Sequence, residues 1–212
     1  MTKKIIQFSP LFLILFSFLF AFYIFPQMPY LMATHWDING QVNGQMSRSW
    51  GLFFMPSLTL FLYLVFRLLP LVDPYKKNFL QFENYYHLFV LIITVFLIYI
   101  YLLTIYWNLD YKFNILQFLS PAYALLLYYT GILMANTHRN WFVGIRTPWT
   151  MSSPIVWKKT HLLGSKLFKL SAVISLLGFA LPQQAIYFIL APILISSLSV
   201  IIYSYYIYRT IT

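Results

Sequence analysis

Long apolar runs separated by short polar segments constrain this chain more than any other feature. A run of 18 or more apolar residues can cross the hydrocarbon core of a bilayer as one helix. We count six candidates: residues 8–25, 52–71, 88–107, 115–135, 167–181 and 185–208. Five of them reach this length, and the fifth, which has Lys169 in its first turn, is shorter. The pattern predicts an all-α, polytopic membrane protein in which residues 1–212 form a single six-helix membrane domain.

The composition supports a membrane location. Hydrophobic residues make up 61% of the chain and charged residues 8%, whereas soluble domains average about 45–50% and about 25%. The first run exceeds the 7–15 apolar residues of a signal peptide, and no small-x-small cleavage site follows it. We therefore expect it to be retained as a membrane helix.

The distribution of basic residues predicts the orientation. If both termini are cytoplasmic, 12 of the 14 Lys and Arg residues lie on the cytoplasmic side, and only Arg48 and Lys112 lie outside. This asymmetry is typical of multi-pass membrane proteins with cytoplasmic termini. Because the charges flank membrane spans, the expected partner is anionic lipid headgroups of the bilayer rather than nucleic acid.

The predicted outer loop, residues 26–50, contains two Asn-Gly pairs. Both residue types accept positive φ, so Asn39-Gly40 and Asn43-Gly44 predict two tight turns that fold the loop back on itself. His35 and Asp37 would then meet as a titrating pair. The alternative is a compact polar cap over the helices, in which His35 is simply hydrogen-bonded.

The predicted inner loop, residues 136–166, has two parts. In the first, Gly144 and Pro148 exclude regular helix around Arg146, whose guanidinium suits a lipid phosphate, a carboxylate or a helix C-terminus. In the second, Ser153 and Pro154 are typical of a helix start. That helix would run to about residue 166 as a short amphipathic helix in the membrane interface.

The faces of this predicted interfacial helix differ in character. Val156 and Thr160 share one face, and Lys158, Lys159 and Lys166 form a basic, lipid-facing surface on the other. Trp157 and His161 are four residues apart and therefore adjacent. The alternative for the whole inner loop is topological anchoring with interfacial aromatic residues.

Few residues are suited to catalysis or metal binding. Cysteine is absent, and the four acidic residues all fall in loops or at span ends. His35 would lie on the opposite side from the other three histidines, so the histidines cannot share one ion. We therefore predict no enzyme activity, no cofactor and no metal. The absence of an acid in mid-bilayer also argues against ion-coupled transport.

Two motifs together resemble the SdpI-type family, bacterial membrane proteins named after an immunity protein against a sporulation-delaying peptide toxin. The outer motif, in a loop like that of the DUF1648 domain, runs from Pro29 through His35-Trp36-Asp37 to Gly40. The inner motif comprises Asn140, the run Gly144-Ile145-Arg146-Thr147-Pro148-Trp149-Thr150, Val156-Trp157 and Thr160-His161. The chain departs from the family pattern at Ser153-Pro154, Leu162 and Ser165, where members often carry an acid, an Arg and a Gly.

The resemblance implies a function and two groups of site residues. It implies a bacterial cell-membrane protein that neutralises or senses a secreted, membrane-active peptide toxin. For the namesake of the family it also implies a second role, in which a cytoplasmic transcriptional repressor is held at the membrane once toxin is present. His35, Trp36, Asp37 and Gly40 would meet the toxin, while the inner motif would engage a partner or lipid. The alternatives are an exporter or flippase for a peptide or lipid, and a membrane enzyme that uses His35 or His161 as a base, for which no nucleophile is evident.

Overall fold

The computed structural model describes residues 2–211, with side chains from residue 4 onwards. Outside this description lie the two ends of the predicted domain, Met1 and Thr212. The side chain of Lys3, one of the predicted cytoplasmic cations, also lies outside it. Within it, six helices are long and apolar enough to cross a membrane, which confirms the predicted all-α polytopic class. These helices are α1 (Thr2–Ile24), α2 (Arg48–Val72), α4 (Glu83–Asn108), α5 (Ile115–Asn136), α7 (Pro154–Ser175) and α9 (Ala185–Ile211).

Short elements connect the long helices. An antiparallel hairpin of β1 (Leu31–Trp36) and β2 (Val42–Ser47) follows α1. The short helices are α3 (Lys76–Leu80), α6 (Pro148–Ser152) and α8 (Leu177–Ala180). The residues 182–184 form one 3₁₀ turn between α8 and α9, so the tight connection expected between the last two spans is confirmed.

The long helices pack as two groups of three. Helices α1, α2 and α4 contact one another, as do α5, α7 and α9, and the two groups meet along α4 and α5. Phe12 and Leu19 of α1 are about 70% exposed (72% and 68%), as expected for a lipid-facing helix surface. This outward apolar surface accounts for the unusually hydrophobic composition.

The two predicted loops lie at opposite ends of this bundle. The hairpin packs on α2 and α4 where α2 begins and α4 ends. Residues 137–153 lie where α5 ends and α7 begins, beside the end of α2. We call these the hairpin end and the motif end.

The structure corrects the predicted interfacial helix. Helix α7 runs without a break from Pro154 to Ser175, so the predicted amphipathic helix and most of the fifth span, 167–181, are parts of one helix. It begins as predicted, with Ser153 as N-cap and Pro154 in the first turn. No helix-breaking residue follows, and its buried face, which includes Trp157 and Gly164, packs against α5 along its length.

One of the two predicted tight turns is also wrong. Gly40 has a φ of +76° and closes the hairpin, as predicted. Gly44 instead lies within β2 opposite His35, at an irregularity in the strand register. A Cβ on Gly44 would lie 2.9 Å from the Cβ of His35, so close packing against His35, rather than a turn, favours glycine there.

Candidate functional site

The Asn108 side chain connects the hairpin to the bundle by hydrogen bonds. The Asn108 Oδ1 accepts a hydrogen bond from the Ala33 N–H at 2.8 Å, and Asn108 Nδ2 donates to the Ala33 carbonyl at 2.9 Å. The amide thus pairs with β1 as a neighbouring strand would. Met32 and Ala33, both in β1, are buried between the hairpin and the bundle. These contacts fix the hairpin to the end of α4.

The predicted pairing of His35 with Asp37 is wrong. Asp37 accepts hydrogen bonds from the N–H groups of Asn39 and Gln41, at 2.8 and 2.9 Å, and so shapes the turn. His35 Nδ1 pairs instead with the Asn43 Oδ1 across the hairpin. The backbone donors of the turn need an acceptor, and Asp37 is the nearest carboxylate, so it is not available to His35.

The tip of the hairpin meets the start of α5. A Cβ on Gly40 would lie 3.2 Å from the side chain of Asn114, which caps α5 by accepting from the Leu116 N–H at 3.0 Å. Trp36 packs edge-on against Trp107 of α4, with ring centroids 5.6 Å apart. The predicted outer residues therefore join the hairpin to α4 and α5, and His35 remains exposed.

An apolar cleft lies beneath the hairpin. Its volume is about 250 Å³, and α2, α4 and α5 form its walls. Trp36 and His35 of the hairpin border it, while Phe54, Leu103 and Leu119 are among the helix residues that line it. Sequence reasoning identified the hairpin residues but not the cleft, because no pattern along the chain shows that these three helices meet.

At the motif end, one buried amide organises the loop. Asn140 is fully buried. Its Oδ1 accepts from the N–H groups of Phe142 and Val143, at 2.9 and 2.6 Å, and its Nδ2 donates to the carbonyls of His138 and Val143. The loop is therefore wrapped around the Asn140 side chain.

His161 holds the next part of the loop against α7. Its Nε2 accepts a hydrogen bond from the Ile145 N–H at 2.9 Å, so Nδ1 carries the proton and donates to the Trp157 carbonyl at 2.8 Å. The rings of His161 and Trp157 stack with centroids 4.0 Å apart. Gly144 has a φ of +106°, and a Cβ there would collide with His161 Nε2.

The second half of the inner motif contacts α9. Thr147 and Thr150 form a reciprocal capping box, and Pro148 occupies the first turn of α6. Trp149 donates a hydrogen bond from Nε1 to the Ser204 hydroxyl and packs edge-on against Tyr205. The motif therefore ties the end of α5 to the last turns of α9.

Two residues that sequence reasoning did not select fix the loop to the region after α2. Asp73 is buried and accepts hydrogen bonds from the N–H groups of Tyr75 and Trp141, at 2.7 and 3.1 Å. Asn78 donates to the Arg139 carbonyl at 2.8 Å. Asp73 is one of only four acids in the sequence and directly follows an apolar span. This position was the sequence feature that could have indicated a structural role for Asp73.

The predicted inner residues differ in their accessibility. The buried ones shape the loop from within and are Asn140, Thr150, Trp157, Thr160 and His161. The exposed ones are Gly144, Arg146, Pro148, Lys158, Lys159 and Lys166. The Arg146 guanidinium donates to the Trp141 carbonyl. An approaching partner or lipid meets the exposed group first.

A second apolar cavity, of about 340 Å³, lies next to the motif loop. Val143 and Ile145 of the loop face Phe66 of α2, Phe89 of α4 and Phe168 of α7 across it. Among residues 2–211, no three His, Asp or Glu side chains come close enough together to hold a metal ion.

Comparisons with known proteins match both ends of the bundle. Residues 136–204 match the SdpI/YfhL protein family, and residues 12–60 match a domain of unknown function, DUF1648. The chain is also 24% identical over 210 residues to the immunity protein SdpI of Bacillus subtilis (strain 168), covering 99% of this chain and 97% of that protein. No solved structure matches it. The family resemblance of the two motifs is thereby confirmed.

Proposed function

Residues 136–204 match the SdpI/YfhL family, and on that premise we propose that the chain belongs to this family and protects its host cell against a membrane-active peptide toxin. Its similarity to an immunity protein extends over nearly the whole chain and includes both motifs. The observation that carries the proposal is the apolar cleft beneath the hairpin, because it gives an apolar peptide a place to bind.

The cleft fits a ligand that arrives within the membrane. Its rim includes Trp50 and Phe54, which are 67% and 42% exposed, so the cleft opens to the outer surface of the bundle, where lipid would lie. A membrane-active peptide buries apolar side chains in the leaflet and can insert one of them between α2 and α5. His35 and Trp36, at the cleft's border, would then contact the peptide backbone at the headgroup level.

Binding at the hairpin end can affect the motif end only through the helices between them. Helices α4 and α5 both line the cleft, and both also line the second cavity beside the motif loop. If toxin favours one packing of α4 against α5, the loop around Arg146 changes its position. We propose that this position determines whether a cytoplasmic repressor binds the exposed residues Arg146, Lys158 and Lys159.

A cleft-filling substitution tests the toxin site. In Leu119→Trp the indole would fill the cleft, and we expect the toxin concentration that cells survive to fall about tenfold, which equals about 1.4 kcal/mol of binding. The matched control is Leu125→Trp, on the same helix but 58% exposed and outside the cleft. The measurement is survival of cells expressing each variant at equal levels, and equal protection by both variants would exclude the cleft as the toxin site.

Transport is the second candidate function. The two apolar cavities flank α4 between α2 and α5, one at each end of the bundle, which is the placement expected of entry and exit points for a peptide or lipid. Loss of protection when an ionophore collapses the proton gradient, at unchanged protein level, would favour an exporter over sequestration.

A further inference from the structure

A third cavity, at the motif end, differs in character from the two apolar ones. Its volume is about 610 Å³, and about half of its wall is polar, whereas the walls of the other two are almost entirely apolar. The lining residues come from α3 and the residue after it, the first turn of α4, the last turn of α5, the start of the motif loop and the first turns of α7. They are Asn78, Gln81, Tyr85, Ala135, Asn136, Thr137, His138, Arg139, Pro154, Trp157 and Lys158. Trp157 of the inner motif and Lys158, which we proposed to contact a repressor, are among these residues, but no role has so far been given to the cavity itself.

The charged residues that line the cavity are cations, while Glu83 lies in the same first turn of α4 as the lining residue Tyr85. Arg139 and Lys158 line it, and no carboxylate is among its lining residues. Asp73, the buried acid nearby along the chain, is already engaged by the N–H groups of Tyr75 and Trp141. A polar cavity with two cations and no lining acid favours an anionic ligand.

Arg139 is held in place for such a ligand. Its guanidinium lies over the Tyr75 ring, 5.1 Å from the centroid, and its Nη1 donates to the Met151 carbonyl at 3.1 Å. Its Nε–H is buried and has no acceptor among the described residues. A planar guanidinium fixed in this way loses little side-chain entropy when it binds phosphate oxygens.

The location indicates the kind of anion. Tyr85, Ala135 and Pro154 lie within the terminal turns of three membrane helices, and all three are exposed. The cavity therefore opens at the level where helices leave the hydrocarbon, which is the level of lipid phosphates. Its volume is within the range of pockets that hold small polar ligands.

We propose that this cavity is a phosphate-binding site in which Arg139 and Lys158 hold the phosphate group of a membrane lipid or of a free phosphate. The proposal does not depend on toxin immunity, since its residues lie at the end of the bundle opposite the hairpin. The proposed site also differs from general attraction of anionic lipid to a basic surface. It requires Lys158, which lines the cavity, but not the adjacent Lys159, which does not.

The test is thermal unfolding of the purified full-length protein in detergent, titrated with phosphatidylglycerol or with inorganic phosphate. Diacylglycerol, which lacks the phosphate, and sodium chloride at equal ionic strength are the respective controls. The key variants are Lys158→Gln and Lys159→Gln, two adjacent exposed lysines of which only Lys158 lines the cavity. We expect Lys158→Gln to weaken the apparent affinity about tenfold, and Lys159→Gln to leave it unchanged.

The outcomes separate the sources and decide the proposal. Stabilisation by phosphatidylglycerol alone identifies a lipid phosphate, and stabilisation by inorganic phosphate identifies a free one. Either result supports the site if Lys158→Gln reduces the stabilisation and Lys159→Gln does not. Equal losses in the two lysine variants, or no stabilisation beyond the controls, would overturn the proposal. Arg139→Gln is a second test, to be interpreted by its titration midpoint because its stability without ligand also changes.

Discussion

At the scale of single residues, two prolines show how this bundle tolerates broken helix hydrogen bonds. Proline lacks an N–H, so Pro70 and Pro192 leave the carbonyls of Phe66 and Phe188 without their helical donors. The Tyr86 hydroxyl of α4 donates to the Phe66 carbonyl at 2.7 Å, and Ser175 of α7 lies 3.2 Å from the Phe188 carbonyl. The Tyr86 hydroxyl therefore replaces the donor missing at Pro70, as proline within a membrane requires. The Ser175 hydroxyl shares its single proton between the Phe188 carbonyl and the Ser171 carbonyl, which is 2.8 Å away.

Tyr86→Phe tests this replacement. Removing the hydroxyl leaves a partly buried carbonyl without a donor, so we expect the free energy of unfolding to fall by about 1–2 kcal/mol. The control is Tyr129→Phe, because Tyr129 donates to the Tyr85 carbonyl in the regular part of α4. The measurement is denaturant unfolding in detergent. Equal losses for the two variants would contradict a special role for the proline-freed carbonyl.

Gly144→Ala tests the contact between the motif loop and α7. Alanine at a φ of +106° is strained, and its Cβ would collide with His161 Nε2. We expect a loss of stability of about 1–3 kcal/mol and faster trypsin cleavage at the exposed Arg146. Gly40→Ala is the comparison: it also has positive φ, but its nearest neighbour is the Asn114 side chain at 3.2 Å. Cleavage at Arg146 unchanged from wild type would argue against the His161 contact.

At the scale of elements, the sequence was most informative where chemistry is local. Ser153 and Pro154 correctly predicted the start of α7, and Asn39-Gly40 the hairpin turn, because capping and positive φ depend on adjacent residues. The continuity of α7 was not predictable in the same way. The lysines in its first half are typical of a helix that lies on the membrane surface. Only the packing against α5 shows that the opposite face of α7 is buried in the bundle.

Asn108→Leu tests how much the Asn108 side chain contributes to holding the hairpin on the bundle. In Asn108→Leu, the N–H and carbonyl of Ala33 lose their partners, so we expect the hairpin to detach while the helices remain. Hydrogen exchange should then be faster in residues 31–47 and unchanged in α5 and α7. The control is Tyr106→Leu, at the same helix end but 51% exposed. Faster exchange throughout the chain would show that Asn108 supports the bundle as a whole.

At the scale of the whole molecule, the two family matches coincide with different structural parts. Residues 12–60 cover most of α1, the hairpin and the first half of α2, whereas residues 136–204 cover the motif loop and most of α7 to α9. Helix α4 and nearly all of α5 lie between them. We propose that residues 1–212 act as one domain, in which the α4–α5 contact transmits changes between the ends. Hydropathy predicted the six spans, but it contains no information on which helices pack together, so the three cavities could not be predicted.

The proposed sites for toxin and repressor depend on the orientation of the chain in the membrane. This orientation can be tested directly by cysteine labelling. It contains no cysteine, so His35→Cys and Arg146→Cys each introduce a single thiol at an exposed position. The distribution of Lys and Arg predicts that the hairpin end faces outward. A membrane-impermeant maleimide should therefore label residue 35 in intact cells and residue 146 only after permeabilisation.

Two further single-cysteine variants serve as references for each side. Lys112→Cys lies in the loop between α4 and α5 at the hairpin end, and Lys159→Cys lies in α7 at the motif end, and both positions are exposed. Labelling of 112 with 35, and of 159 with 146, would establish the two faces independently of the motifs. Labelling of 35 and 146 from the same side would contradict both the opposite placement of the motifs and transmission across the bilayer. Reversed sidedness would instead keep the bundle and place the motif loop, rather than the hairpin, where a secreted toxin arrives.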